Sequence, residues 1–177
     1  MILFKPHPAV ENELFTVTTI AAFNREYARF LESRKNNIVL YSKIFSMTDF
    51  EKIGNIIQAY APVVFGCQDG LLLKYCRSGT ATEHNPDFCN MVKANYPHVT
   101  LKTHLGVKTF FKDTFFPAVL IAGTAQNITE FYFENLIIEA KRTGRAVFLI
   151  TGNLKTLKVA REKMTDLTNS FALVKIL

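Results

Sequence analysis

The sequence lacks any apolar run long enough to cross a bilayer. Its longest apolar stretches, residues 118–122 and 136–138, fall far short of the roughly 20 residues that a membrane helix needs. Residues 1–6 also lack the basic stretch and small-residue cleavage site of a secretory signal. We therefore expect a cytoplasmic protein with no membrane partner.

Cysteine is scarce, and its spacing excludes the usual cysteine-based frameworks. The three cysteines, Cys67, Cys76 and Cys89, are odd in number and form no Cys-x-x-Cys pair. A disulfide framework or a thiolate metal cage is therefore not expected, and inert buried thiols are. Glu83 and His84 lie near Cys89, but their spacing matches no zinc motif. The sequence thus predicts no metal site.

The glycines do not form a recognisable nucleotide-binding motif. Neither the Walker pattern nor the dinucleotide fingerprint is formed by Gly66, Gly70, Gly79, Gly144 and Gly152. We therefore expect no cofactor.

Composition and charge indicate one globular domain spanning residues 1–177. Hydrophobic residues make up 49% and charged residues 20% of the chain, close to the globular average. The formal net charge is +6, which favours approach to polyanions without proving it.

Hydrophobic periodicity predicts alternating helices and strands in the first half of the chain. A helix is expected over residues 18–35 and a buried strand over residues 38–45. A capping box at residues 48–51 then predicts a helix that Pro62 ends, followed by a strand at residues 62–66 and a polar connection to His84.

The second half reads as one more helix followed by mostly extended segments. Asn85 and Pro86 predict a helix that buries Phe88, Met91 and Val92. Residues 98–111 and 118–122 are predicted to be extended, and residues 135–140 are predicted to pair with residues 145–150 as two strands. A helix capped by Asn153 and a closing strand at residues 171–176 follow. The fold class is α/β, a mixed β-sheet flanked by helices.

One stretch carries a family outline. His104 and Lys108 precede Asp113 in a Lys-x4-Asp spacing, and a second strand leads to Gly123-Thr124 and Asn127. A Glu134-Asn135 segment follows. This outline resembles the phospholipase D superfamily, in which a His-x-Lys-x4-Asp strand is followed by a Gly-Ser-x-Asn turn and a Glu-Asn strand.

The resemblance implies a phospholipase D-like half domain that acts on phosphodiester groups of nucleic acid, chiefly DNA, without a metal. It assigns catalysis to His104, Lys108 and Glu134. Phosphate binding would fall to Lys108, Thr124 and Asn127. In active members a histidine attacks phosphorus, while cationic and amide donors stabilise the developing charge.

The chain departs from that outline at the nucleophile. Gly106 stands two residues before Lys108, where the family has its histidine, and His104 lies two residues further back. A bulge at Gly106 would bring His104 into register. Two interpretations therefore remain open: a noncatalytic module that binds DNA or a protein partner, and a metal-independent nuclease that uses His104.

Basic residues suggest where nucleic acid would bind. They recur along the last expected helix and cluster at the turn before it, and a solvated face is the alternative interpretation. The candidates are Lys141, Arg142, Arg145, Lys155, Lys158 and Arg161. Because family members use two motifs and this chain has one, we also expect a homodimer.

Overall fold

The computed structural model describes residues 40–83, 85–103, 116–122, 130–152 and 161–177. Within them, no helix is long and apolar enough to cross a membrane.

The described residues form a seven-stranded sheet in the order β3-β2-β1-β4-β5-β7-β6. Strands β1 to β5 run parallel, whereas β7 is antiparallel to both β5 and β6. The strands are β1 Val63–Phe65, β2 Thr80–Glu83, β3 Thr100–Thr103, β4 Phe116–Ile121, β5 Gly144–Thr151, β6 Met164–Asp166 and β7 Ala172–Lys175. The predicted α/β class with a mixed, helix-flanked sheet is therefore confirmed.

The helices connect the parallel strands and begin at local capping signals. Ser46 and Asp49 form a capping box at the start of α2, and the Asn85 side chain accepts hydrogen bonds from the N–H groups of Asp87 and Phe88 at the start of α4. The α-helices are α1 Tyr41–Ile44, α2 Met47–Ile57, α3 Leu71–Cys76, α4 Pro86–Asn95 and α5 Glu130–Thr143. In the described ranges, 3₁₀ turns cover Gln58–Tyr60 and Arg161–Lys163.

Both faces of the central strands are buried. Val64 and Leu120 belong to a core cluster with Ile53 of α2 and Leu73 of α3. On the opposite face, α5 packs against β4 and β5, and Val119 is fully buried. A sheet covered on both faces explains why β1 and β4 are uniformly apolar instead of alternating.

Three predicted elements are wrong in type. The strand expected at residues 38–45 contains the short helix α1. The polar connection expected up to His84 contains α3 and β2. The strand expected at residues 135–140 lies within α5. Its run of apolar and β-branched residues favours a strand locally, but the packing of α5 against β4 and β5 stabilises a helix instead.

Several other predictions are confirmed or corrected in detail. Strands β1, β4 and β7 lie where apolar runs predicted them, and α4 begins at Pro86 as expected. Met91, predicted to be buried by α4, is exposed. Met164, expected to face inward from a helix, begins β6. The helix expected at residues 18–35 lies outside the described residues.

Candidate functional site

The carboxyl edge of the parallel strands contains the point where the chain changes direction across the sheet. From β1 the chain proceeds outward to β2 and β3, whereas from β4 it proceeds the other way to β5. Strands β1 and β4 are hydrogen-bonded neighbours, with Phe65 opposite Ile121. In open α/β sheets, ligands bind outside the carboxyl ends of the strands at such a switch point.

The loop of residues 66–70, which follows β1, adopts an unusual backbone conformation. Gly66 and Gly70 have φ values of 74° and 91°, and Gln68 has φ 53°. A side chain at Gly70 would also come within 2.8 Å of the Tyr96 ring, so glycine is required there for conformation and for space. We call this segment the β1 loop.

Glu83 ends β2 directly beside the β1 loop. Its carboxylate accepts hydrogen bonds from the N–H of Gln68 at 2.7 Å and from the N–H of Asn85 at 3.0 Å. The residue is only 2% exposed, so a carboxylate is held at this edge despite its burial. Backbone donors of this kind stabilise and orient a buried charge.

Tyr41 packs over the same region from α1. Its backbone N–H donates to Oε1 of Gln68 at 3.0 Å, and its ring stacks on Phe45 at 5.6 Å. Burial raises the pKa of Tyr41 well above its ordinary value, and the charge of Glu83 raises it further. Within the described part of the chain, the Tyr41 hydroxyl is buried without a hydrogen-bond partner.

The three cysteine side chains are buried, as the sequence predicted. Cys67, Cys76 and Cys89 are free and buried. Burial, and then the charge of Glu83, raise the pKa of Cys67 and of Cys89, while burial alone raises that of Cys76 to about 12. Thiolates are therefore disfavoured at ordinary pH. The described residues contain no group of three or more His, Cys, Asp or Glu side chains able to hold a metal.

Most of the predicted phosphodiester site lies outside the described residues. This applies to His104 and Lys108, to Thr124 and Asn127, and also to Lys155 and Lys158. Glu134, expected near a strand edge, lies in α5. The structure therefore does not show these residues converging on one site.

The remaining basic candidates flank the junction between α5 and β5 or lie near the chain's end. Lys141 and Arg145 are exposed, and Arg161 lies in a 3₁₀ turn. Arg142 instead binds the buried carboxylate of Glu139 through Nε at 2.8 Å and Nη2 at 2.7 Å. Its guanidinium thus has a structural partner within α5.

Sequence reasoning missed Gln68, Asp69 and Glu83 as site residues. The available signal was an apolar strand, a glycine at each end of a short loop, and an acidic residue 15 positions after Gln68. A glycine-bounded turn after a strand, with a carboxylate about 20 residues on, is typical of nucleoside-binding α/β sheets. The incomplete glycine pattern concealed it.

Comparison with solved structures identifies the fold. The ribosomal protein L11 methylase from Lactobacillus delbrueckii subsp. bulgaricus superposes with a TM-score of 0.53 and 11% identity, covering 71% of this chain and 75% of that one. The TehB-like SAM-dependent methyltransferase from Corynebacterium glutamicum superposes with a TM-score of 0.50 and 15% identity, covering 88% and 97%. At these identities the likeness shows the fold alone.

A third solved structure matches over a smaller part of both chains. DesVI from Streptomyces venezuelae matches with a TM-score of 0.46 and 13% identity over 58% of this chain, which spans about half (49%) of that protein. No protein-family description matches the sequence, and no curated protein matches it.

The phospholipase D resemblance is therefore wrong. The first two of these solved structures are described as a methylase and a methyltransferase, and they give no support to a phospholipase D-like half domain, to DNA binding or to nuclease activity. The supposed Glu-Asn strand is helical, so the matching residues reflect a short spacing pattern and not a shared arrangement. The homodimer and the protein partner stay predictions, although the two-motif cleft that motivated the dimer no longer applies.

Proposed function

We propose that this protein binds S-adenosylmethionine at the carboxyl edge of its sheet and transfers the methyl group to a substrate. The observation that carries the proposal is the position of Glu83, a buried carboxylate at the end of β2 beside the β1 loop. The matching fold of methyltransferases, one of them described as SAM-dependent, supports it.

The residues at this edge fit the polar groups of the cofactor. In nucleoside-binding α/β sheets, an acidic residue after the second strand accepts hydrogen bonds from ribose hydroxyl groups. Glu83 would have that role, because the N–H groups of Gln68 and Asn85 hold its carboxylate at the strand end. The β1 loop would lie under the remainder of the cofactor, at the switch point between β1 and β4.

S-adenosylmethionine would supply a methyl group on a positively charged sulfur, which a nucleophilic atom of the substrate can accept. The chain's own contribution is positioning, which lowers the entropic cost of bringing the two reactants together. Gln68 contributes by joining the β1 loop to both Glu83 and the backbone of Tyr41. The proposal assigns a cofactor to a chain for which the sequence predicted none.

Titration calorimetry with S-adenosylmethionine and S-adenosylhomocysteine tests the proposal. We expect the full chain to bind both compounds, and Glu83→Gln to weaken both by about tenfold, the effect of removing one charge-assisted hydrogen bond of roughly 1.4 kcal/mol. Glu51→Gln is the matched control, because Glu51 is exposed on α2 and loses the same charge.

Thermal unfolding of each variant separates loss of binding from loss of structure. A Glu83→Gln protein that unfolds like the parent but binds more weakly supports the ribose role. Absence of binding by the parent chain at millimolar ligand would overturn the proposal, and unchanged binding by Glu83→Gln would remove its main support.

A further inference from the structure

A cavity of about 230 Å³ lies over strands β5, β7 and β6, on the face of the sheet that α2 covers. Its floor contains two cross-strand pairs. Phe148 of β5 lies opposite Lys175 of β7, and Thr165 of β6 lies opposite Leu173 of β7. Directly opposed residues of antiparallel strands point to the same face of a sheet, so each pair presents both side chains to the cavity. We call this space the β6–β7 cavity.

The β6–β7 cavity is separate from the candidate site at the carboxyl edge. Ile56 of α2 and Tyr60 of the following 3₁₀ turn line it, as do Glu162 and Lys163 of the 3₁₀ turn before β6. Only two residues separate Tyr60 from β1, so this wall lies at the amino end of β1, whereas the β1 loop follows its carboxyl end. Among the described residues, those that line the cavity include neither the β1 loop nor Glu83.

The cavity presents aromatic surface that a flat ligand can cover. The ring of Tyr60 is 38% exposed and meets the buried ring of Phe148 edge-on, with the ring centroids 5.3 Å apart. A ligand ring that packs on both side chains would remove their remaining aromatic surface from water. Because an apolar cavity of roughly 150 Å³ accommodates benzene, the larger volume here leaves space for one ring with a short substituent.

The charges around the cavity favour an anionic substituent. Lys163 and Lys175 are exposed cations, and Glu162 is an exposed anion, so two positive charges against one negative leave an excess of one positive charge. Nζ of Lys175 lies 5.9 Å from the centre of the Tyr60 ring, which places an ammonium group beside the aromatic wall. An anion attached to a bound ring would therefore find a cation close to that ring.

We propose that the β6–β7 cavity is a second ligand site, which takes a small planar aromatic molecule bearing a carboxylate. The ring packs on Tyr60 and Phe148, and the carboxylate pairs with Lys175 and Lys163. Glu162 opposes the anion and limits its affinity. The site goes beyond the proposed function and does not depend on it.

Phenylacetate is the probe for this site, because one carbon atom joins its ring to its carboxylate. Phenethylamine has the same ring with the opposite charge, and acetate has the carboxylate without the ring. We expect phenylacetate to bind the full chain with a Kd of about 1 mM, the strength available to a ligand of about ten non-hydrogen atoms. Phenethylamine and acetate should each bind at least about tenfold more weakly, a difference of about 1.4 kcal/mol.

Titration followed by ¹H–¹⁵N NMR locates the bound probe. Backbone N–H signals of Met164–Asp166 and Ala172–Lys175 should shift with phenylacetate, because these segments form the floor of the cavity. Signals of the β1 loop should not shift. Addition of S-adenosylmethionine should leave the phenylacetate titration unchanged, since the two sites lie toward opposite ends of the parallel strands.

Three charge variants test the electrostatic part of the proposal. Lys175→Gln and Lys163→Gln should each weaken phenylacetate binding by about two- to fivefold, the size for an exposed charge pair. Glu162→Gln should strengthen it by about twofold, because a repelling carboxylate is removed. Lys74→Gln is the matched control, since Lys74 also lies over a tyrosine ring, 5.7 Å from the centre of Tyr75, but does not line the cavity.

Thermal unfolding shows whether each variant keeps the parent's fold. Absence of shifts at β6 and β7 in millimolar phenylacetate would overturn the proposal. Affinity for phenethylamine equal to that for phenylacetate, competition by S-adenosylmethionine, or an affinity that none of the three variants alters would do the same. None of these results bears on whether the carboxyl edge binds S-adenosylmethionine, so the failure of one site is distinguishable from the failure of the other.

Discussion

Replacing Gly54 with alanine sets two effects of opposite sign against each other. Gly54 lies in the middle of α2, where alanine is favoured over glycine by about 1 kcal/mol in helix propensity. However, a side chain there would overlap the carbonyl oxygen of Tyr75 and come within 3.0 Å of its carbonyl carbon. Both are backbone atoms of α3, so no side-chain rotation relieves the overlap.

The steric effect should prevail because α2 and α3 are packed tightly at this point. Phe50 stacks on Tyr75 at 5.3 Å beside the contact, and Ile53 is fully buried. Overpacking of a well-packed core costs about 1–3 kcal/mol, and here the obstructing atoms are backbone, so we take the upper end. Subtracting the propensity gain leaves a net loss of about 2 kcal/mol.

Urea and thermal unfolding followed by circular dichroism measure this loss. About 2 kcal/mol corresponds to a Tm lower by roughly 4–8 °C for a chain of this size. Gly79→Ala is the matched control, since a side chain at Gly79 meets nothing within 4 Å and should leave stability nearly unchanged. A Gly54→Ala protein as stable as the parent, or more stable, would refute the close α2–α3 contact.

Two further predictions concern buried side chains. Tyr41→Phe should raise the free energy of unfolding by about 1 kcal/mol, because it removes a buried hydroxyl that has no partner among the described residues; a clear loss in urea unfolding would contradict this. Burial raises the pKa of Cys76 from 9.0 to about 12, so the folded state binds the proton more tightly. Its contribution to stability should be complete below pH 9 and be lost as the pH rises from 9 towards 12, by up to about 1.4 kcal/mol per pH unit. Stability measured between pH 9 and 11 should decline less steeply in Cys76→Ala, and equal slopes would contradict the assignment.

Elements with strong local signals were predictable from the sequence. The Asn85-Pro86 pair predicts the start of α4, where the Asn85 side chain caps the N–H groups of Asp87 and Phe88 at 2.9 and 3.3 Å. The uniformly apolar residues 118–122 predict β4, which is buried on both faces. In these cases the local preference agrees with the tertiary environment.

Elements decided by distant partners were not predictable. In α5, Ile138 is 60% exposed whereas Glu139 is buried, the reverse of what hydrophobicity suggests. The ion pair between Glu139 and Arg142, three residues apart on one helix face, makes that burial possible. Strand β2 was missed because it is short and threonine-rich, and it is held by parallel neighbours on both sides.

The candidate site was missed for a related reason. Glu83 acquires its orientation from the N–H of Gln68, and Gln68 in turn holds the backbone of Tyr41, 27 residues away in the chain. No local pattern records these contacts. The phospholipase D outline, in contrast, consisted of a few residue types at short spacing, a pattern that unrelated sequences readily contain.

The pairing of β1 with β4 has a consequence for folding. Strands β1, β2 and β3 pair with successive neighbours, as do β4 and β5, so each half of the sheet can assemble from segments that are close in sequence. The β1–β4 pairing joins the halves by closing a long stretch of chain, a step that contact-order arguments put late. A ligand bound at the carboxyl ends of these two strands would span the junction that forms last, and its presence should slow the separation of the two halves.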